Sequence, residues 1–121
     1  MSVFSNITTE NYMFESNYFF VIKDKFPVSK GHLLIISKRE VVDFFSLNTH
    51  EKNNLIVMID KCKLKIDREK TPDGYNIGMN CGAAAGQTVM HFHCHVIPRY
   101  NGDMQNPVGG IRHCIIGKGY Y

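Results

Sequence analysis

The segment from Met90 to Ile97 alternates apolar residues with histidines, and this alternation constrains the fold more than any other feature. The even positions are apolar, and the odd positions are His91, His93 and His95. Successive side chains of a β-strand point to opposite faces of a sheet. The segment therefore predicts a strand that packs its apolar face on a core and presents three imidazoles on the other. We expect the strand to end at Pro98, because proline removes a backbone donor.

The rest of the chain predicts further strands around one helix. Strands are expected where aromatic and β-branched residues are dense, at Tyr18–Lys23, His32–Ser37, Tyr75–Asn80 and, in the tail, His113–Ile116. Apolar residues recur at helical spacing from Leu55 to Ile66, which predicts a helix from Thr49 to Arg68 with Thr49 as its N-cap. This order of elements is typical of an α+β fold with an antiparallel sheet.

Composition narrows the class of protein. The 121 residues include no linker, so we expect one domain over residues 1–121. No apolar run approaches the ~18 residues that span a bilayer, and the first ten residues do not resemble a signal peptide. We therefore expect a cytoplasmic protein without a membrane partner. The net charge of +3 favours an anionic ligand such as a nucleotide but falls short of the basic stripe of a nucleic-acid-binding protein.

The three histidines point to chemistry rather than to sheet stability. Same-face neighbours on a strand lie about 6–7 Å apart, so three charged imidazoles would repel one another. At least one should be neutral near pH 7, and a neutral imidazole is a competent nucleophile or base. A metal site on His91 and His93 with His32 or His113 is the alternative, although no carboxylate lies in this strand.

A loop of small residues, Gly82–Gly86, comes shortly before the histidines. Small residues let the backbone approach an anion closely, and the side chains of Gln87 and Thr88 offer donors for phosphate oxygens. The four cysteines are scattered without paired spacing, which indicates reduced thiols rather than zinc ligands: Cys62, Cys81, Cys94 and Cys114.

The run from Gly86 to Arg99 resembles the signature of the histidine triad (HIT) superfamily, His-φ-His-φ-His-φ-φ with φ apolar. The resemblance extends to Asp24–His32, Asp73–Asn80 and the tail. Within the superfamily the chain most resembles a bacterial-type group near the fragile-histidine-triad and diadenosine polyphosphate hydrolase branch. It implies a sheet of about five strands with one main helix plus a shorter one. It also implies a homodimer that pairs through the central helix and a strand edge.

The resemblance further implies a division of labour among the histidines. His93 is expected to attack an α-phosphorus and form a nucleotidyl-histidine intermediate that water then hydrolyses. His95 is expected to contact the phosphate and assist the leaving group, with His32 behind it. His91 is expected to orient the nucleophile, partly through its backbone carbonyl.

Binding residues follow from the same resemblance. The expected phosphate contacts are Gln87, Thr88 and Asn80, and Asp24 is expected to accept hydrogen bonds from ribose hydroxyls. Phe4, Ile7 and Ile22 are expected to line the base pocket of a purine nucleotide.

One departure concerns zinc. Many relatives begin with Cys-x-Phe-Cys and use that pair to bind structural zinc, whereas this chain has Ser2 and Ser5 at those positions. His50 and His91 remain, but serine is a poor zinc ligand. We therefore expect no structural zinc and no other cofactor.

The sequence thus predicts a nucleotidyl hydrolase acting on a dinucleoside polyphosphate, a nucleoside phosphoramidate or an adenylylated molecule. Two alternatives stay open: a nucleotide-binding interaction module without significant turnover, and a metal-dependent hydrolase on the same histidines.

Overall fold

The computed structural model describes all residues from 1 to 121 and contains one five-stranded antiparallel sheet. The strands are β1 (Phe14–Glu15), β2 (Phe19–Lys23), β3 (Leu33–Ser37), β4 (Gly74–Gly78) and β5 (His93–Arg99). Their order across the sheet is β1-β2-β3-β5-β4. The antiparallel α+β fold predicted from the sequence is confirmed.

One face of the sheet carries the main core. The central strand β3 is buried along its whole length, as its apolar sequence requires. Helix α1 (Thr49–Glu69) packs on this face through residues at helical spacing: Leu55, Met58, Cys62 and Ile66. The strands contribute six residues to the same cluster: Phe19, Val21, Leu33, Ile35, Cys94 and Val96.

The opposite face carries the histidines. Leu34 pairs with His95 and Ile36 pairs with His93, so these four side chains share one face. Phe20, Leu34 and Ile36 form a smaller apolar cluster on this face, and residues of the N-terminal segment pack over it. That segment forms two single 3-10 turns, Val3–Asn6 and Thr9–Asn11.

The histidine strand differs from its prediction at both ends. It begins at His93, because the backbone N–H of Phe92 donates to the carbonyl of Val41, in the loop beyond β3, at 2.7 Å. It continues through Pro98, which pairs with Tyr75 of β4. Pro98 lies beyond Val96, where the pairing of β5 with β3 ends, so no partner strand requires an N–H from it on that side. Its own carbonyl oxygen accepts a hydrogen bond from Ser29 Oγ at 2.6 Å.

The ends of other elements also differ from their predictions. The N-cap of α1 is Asn48 rather than Thr49, and it forms a capping box with Glu51. The expected strand at His113–Ile116 is wrong, because Gly110–Cys114 forms a 3-10 turn entered through Gly109 at φ +96°. The short helical elements are all 3-10 turns, so the expected shorter helix is at most one such turn. None of the helices has the length and apolar character that crossing a membrane requires.

Candidate active site

His93, at the start of β5, has a fixed ring orientation. Its Nδ1 atom lies 2.9 Å from the backbone carbonyl oxygen of His91. A carbonyl only accepts, so Nδ1 carries the proton of the neutral ring and Nε2 holds a lone pair. No buried side-chain nitrogen lacks a hydrogen-bond partner. Because His93 Nε2 has no partner, it is not buried, and this atom is open to the site. This is the arrangement that a nitrogen nucleophile needs.

His95 lies beside His93 on the same face, with ring centroids 5.4 Å apart. Its Nδ1 atom is 2.9 Å from Nε2 of the buried His32, and Asp24 Oδ2 is 3.3 Å from that same Nε2 atom. Burial, with the neighbouring His32 and His93 rings, lowers the pKa of His95 to about 4, although Asp24 opposes the shift. Burial likewise lowers the pKa of His32. The His95 ring is therefore neutral at pH 7.

His91 is closed to a ligand, unlike the other two histidines of the run. It precedes the strand, is 1% exposed, and uses both ring nitrogens within the fold. Nε2 lies 2.7 Å from the carbonyl oxygen of Ser37, and Nδ1 lies 2.5 Å from Ser2 Oγ. Phe92 packs into the main core and the Phe4 ring stands edge-on to both His91 and His93, so His91 lies on the histidine side of the chain, as predicted. Only the rings of His93 and His95 are open to the site, and the backbone carbonyl of His91 reaches His93.

The N-terminal segment and Glu40 form a hydrogen-bonded group beside His91. Glu40 Oε1 accepts from the backbone N–H of Ser2 at 2.6 Å and from Ser5 Oγ at 2.7 Å. Those hydrogen bonds lower the pKa of Glu40. The Ser5 hydroxyl is engaged by Glu40 and the Ser2 hydroxyl by Nδ1 of His91. Since hydroxyls are also poor zinc ligands, this set of residues does not fit a structural zinc site.

Asp24, at the end of β2, combines a turn role with a site role. Its Oδ1 atom accepts from the backbone N–H of Phe26 at 2.8 Å, the local hydrogen bond expected of a turn aspartate. Its Oδ2 atom faces His32 and lies 3.8 Å from Nδ1 of His95. The structure therefore brings together Asp24, His32, His93 and His95.

Gln87 does not offer its amide to a ligand. The side chain is 4% exposed, and its Nε2 donates to the carbonyls of Val42 at 2.6 Å and Val89 at 3.1 Å. Its Oε1 accepts from the backbone N–H of Gly82 at 2.8 Å. Both amide hydrogens are used, so the expected phosphate contact through this side chain does not fit the structure. Gln87 instead clamps its own loop.

The other expected phosphate ligands lie on the surface of the same loop. Thr88 and Asn80 are exposed. Asn80 approaches Gly86, where an added Cβ would lie 3.9 Å from Asn80 Nδ2. Gly82 and Gly86 have φ values of +96° and +94°, which favour glycine, and they bound a single 3-10 turn, Ala83–Ala85.

The expected base-pocket residues lie on the histidine face, in two places. Ile7 and Ile22 line a cleft of about 680 Å³ between the N-terminal segment and β2, with Tyr12 and Asp24 also at its wall. Phe4 is not part of this cleft wall. Its ring stands edge-on to the ring of His93 at 5.0 Å and to that of His91 at 5.7 Å.

A shared metal ion would have to use a different set from the one the sequence suggested. The donor atoms of Asp24, His32 and His95 lie within 4.8 Å of one another. His91 has both nitrogens engaged, and His113 lies in the C-terminal turn with Nε2 at 2.8 Å from the carbonyl oxygen of Val108. The metal alternative on His91 and His93 with His113 is therefore not supported.

Known proteins are similar to this chain in sequence. A HIT domain model matches residues 6–102. A HIT-like protein of Mycoplasma genitalium described as uncharacterized is 38% identical over 86 residues, which is 71% of this chain and 61% of that protein. AP-4-A phosphorylase of Mycobacterium tuberculosis is 32% identical over 85 residues, covering 69% of this chain and 44% of that protein.

Solved structures of HIT proteins have a similar fold. A HIT family protein from Bacillus anthracis superposes with a TM-score of 0.72 at 35% identity, covering 77% of this chain and 66% of that one. The NitFhit protein of Caenorhabditis elegans gives 0.77 at 29% identity, covering 83% and 24%. The chain spans about three fifths of the length of the Mycoplasma relative. From the matching domain model and the shared fold, the chain belongs to the HIT family.

Proposed function

We propose that this protein is a nucleotidyl hydrolase or transferase that cleaves at the α-phosphate of an adenine-type nucleotide through His93. The observation that carries the proposal is the fixed ring of His93, whose Nδ1–H is held by the His91 carbonyl at 2.9 Å. That contact leaves a nucleophilic lone pair on Nε2. The open nitrogen of His95 stands on the same face of the sheet.

The reaction then has two displacements. In the first, the Nε2 lone pair of His93 attacks the α-phosphorus, and the bond from phosphorus to the leaving oxygen or nitrogen breaks. The ring becomes a nucleotidyl-imidazolium, and its Nδ1–H bond to the carbonyl oxygen of His91 stabilises the new positive charge. In the second, water attacks the phosphorus and loses a proton to the solvent, the P–N bond breaks, and the nucleoside monophosphate leaves as His93 regains its lone pair.

The neighbouring groups support a nucleotide as the substrate. The open nitrogen of His95 is suited to contact the phosphate and the leaving group. The cleft bounded by Ile7 and Ile22 is apolar enough for a base, and the Asp24 carboxylate at its wall suits ribose hydroxyls. Thr88 and Asn80 stay our proposed phosphate contacts.

The names of two relatives support the class of leaving group. One is called AP-4-A phosphorylase and the other a nitrilase and fragile histidine triad fusion protein. We therefore favour a dinucleoside polyphosphate, with a nucleoside phosphoramidate as the second substrate class. A phosphorylase transfers to phosphate and a hydrolase to water, so the acceptor has to be tested directly.

A kinetic panel tests the proposal. The protein is incubated with diadenosine tetraphosphate, AMP phosphoramidate or an adenylylated peptide, with and without inorganic phosphate, and the products are separated by chromatography. Hydrolysis yields AMP, and transfer to phosphate yields ADP. We expect turnover of at least one substrate and a loss of roughly three orders of magnitude or more in His93→Asn.

The matched control is His50→Asn, which removes an exposed histidine in the first turn of α1. It should retain full activity. Wild-type turnover in His93→Asn would contradict the mechanism. AMP binding without turnover of any substrate would favour the second candidate, a nucleotide-binding interaction module.

Two further parts of the proposal concern assembly and location. We propose a homodimer that pairs through α1 and a strand edge, which light scattering after size-exclusion chromatography tests directly. We also propose that the protein acts in the cytoplasm, where nucleotides of this class are available.

A further inference from the structure

The position of the ring proton on His95 decides whether this residue donates to the substrate or accepts from it. Its Nδ1 atom faces His32 Nε2 at 2.9 Å, and one proton lies between the two nitrogens. If the proton belongs to His32, the neutral His95 ring carries its own proton on the open Nε2 atom. If it belongs to His95, the open Nε2 atom holds a lone pair and cannot donate.

The second nitrogen of His32 resolves this choice. The backbone N–H of Val28 points at His32 Nδ1, with the two nitrogens 3.2 Å apart. An N–H donor requires a lone pair on its partner, so Nδ1 of His32 carries no proton. The proton of the neutral ring therefore lies on Nε2. It is donated to Nδ1 of His95 at 2.9 Å, the shorter contact, while Asp24 Oδ2 lies 3.3 Å from the same nitrogen and attracts the same proton.

The loop that presents this amide is closed by the backbone. The N–H of Asp24 donates to the carbonyl of His32 at 3.0 Å, and the N–H of His32 donates to the carbonyl of Ser29 at 3.3 Å. The Val28 side chain itself is 72% exposed. Only its amide serves the site.

We propose that the backbone amide of Val28 is a positioning group that fixes His32 as the Nε2–H form and, through it, fixes His95 as an Nε2–H donor. The hydrogen bonds then run in one direction from Val28 through His32 to His95, and end at the substrate. His93 has the opposite form, with its lone pair on Nε2. Adjacent rings thus present one nucleophile and one donor to the same phosphate.

The same arrangement disfavours a metal ion on Asp24, His32 and His95. A metal on Nε2 of His32 needs a lone pair there, which moves the ring proton to Nδ1. That proton would face the N–H of Val28, and two donors would oppose each other. The cluster fits a chain of hydrogen bonds better than a set of metal ligands.

Nitrogen-15 NMR of the imidazole rings tests the proposal without any substrate. Protonated and unprotonated ring nitrogens have well-separated shifts, so each form is read directly at pH 7. We expect unprotonated Nδ1 and protonated Nε2 in both His32 and His95. A protonated Nδ1 in His32 overturns the proposal, and this wild-type measurement stands even if no variant folds.

Val28→Pro removes the amide, and Val28→Ala is the matched control that keeps it. We expect His32 and His95 to become mixtures of both forms in Val28→Pro alone. An unchanged His32 in a folded Val28→Pro variant overturns the proposal.

The effect on catalysis rests on the proposed function. We expect kcat to fall about fivefold in Val28→Pro, the factor that one net hydrogen bond represents, with KM unchanged. Altered ring forms with unaltered kcat would uphold the role of Val28 but contradict donation by His95 in the reaction. The two failures are therefore distinguishable.

Discussion

The hydroxyl oxygen of Ser2 lies 2.5 Å from Nδ1 of His91, across 89 positions of the sequence. The other ring nitrogen of His91 donates to the carbonyl of Ser37, so Nδ1 holds a lone pair and Ser2 donates to it. The same hydroxyl accepts from the backbone N–H of Phe4, whose ring packs against His93. Ser2 thus ties the N-terminal segment to the residue whose carbonyl orients the nucleophile.

Ser2→Ala should destabilise the fold. The change leaves Nδ1 of the buried His91 ring without a donor, and an unpaired buried acceptor costs about 1–3 kcal/mol. We expect a loss of about 1 kcal/mol or more in the free energy of unfolding, measured by urea denaturation. Ser5→Ala is the control, because Ser5 bonds only the exposed Glu40 and should lose less than about 0.5 kcal/mol. Equal losses in the two variants would contradict this account of Ser2.

Gln87→Ala should act on the loop rather than on a direct ligand contact. The substitution leaves the N–H of Gly82 and the carbonyls of Val42 and Val89 without their partners. We expect a loss of about 2–3 kcal/mol in the free energy of unfolding. Thr88→Ala, on the exposed side of the loop, should change stability by less than about 0.5 kcal/mol. Wild-type stability of Gln87→Ala with a raised KM would instead point to a direct phosphate contact.

Sequence periodicity predicted the strand and the helix that position the site. The features that it did not predict depend on contacts between residues far apart in the sequence. The alternation around His93 and the helical spacing from Leu55 to Ile66 depend on local geometry, so both can be read from sequence. The bend at His91 depends on Val41 and Ser37, about fifty positions earlier. A local pattern carries no signal for such a contact.

The same limit explains Gln87 and Val28. A glutamine side chain after a glycine loop can donate to a phosphate or to a backbone carbonyl equally well. Only the position of the Val42 carbonyl in space decides between the two partners. The Val28 contact is made by a main-chain N–H, which every residue except proline has, so no side-chain motif reveals it. Resemblance to the family predicted the His91 carbonyl beside His93 and His32 behind His95, but not the Val28 amide or the Ser2 hydroxyl that hold those two residues.

The free energy of unfolding should decrease as the pH is lowered, because of His95. Its pKa is lowered to about 4 in the fold from 6.5 in the unfolded chain, so the unfolded state binds more protons between these values. The free energy of unfolding is therefore not reduced by this residue above pH 6.5, and it declines as the pH falls from 6.5 towards 4. After allowance for solvent screening of a ring that is 27% exposed, we expect this residue to contribute about 2 kcal/mol of that decline.

Denaturation curves collected between pH 7 and pH 4 measure this decline. The slope should be shallower in His95→Asn, which removes the titrating group, than in the wild type. His50→Asn, which alters an exposed histidine, should follow the wild type. An unchanged slope in His95→Asn would show that other groups cause the acid sensitivity.

Thiol reactivity should divide the four cysteines into two classes. Burial raises the pKa of both Cys62 and Cys94 to about 12, so neither forms a thiolate near neutral pH. Cys114 is exposed and Cys81 is half-buried. A chromogenic disulfide reagent should titrate two thiols in the native protein and four after denaturation. Rapid native reaction of Cys62 or Cys94, located by peptide mapping, would contradict the core packing.

The central claim, that His93 is the nucleophile, is tested most directly by trapping the intermediate. The protein is mixed with a substrate labelled at the α-phosphate, quenched in alkali, where phosphorus–nitrogen bonds to histidine survive, and mapped by mass spectrometry. We predict one nucleotidyl group on the peptide that contains His93, and none in His93→Asn. A label on a different residue, or full turnover by His93→Asn, would contradict the account.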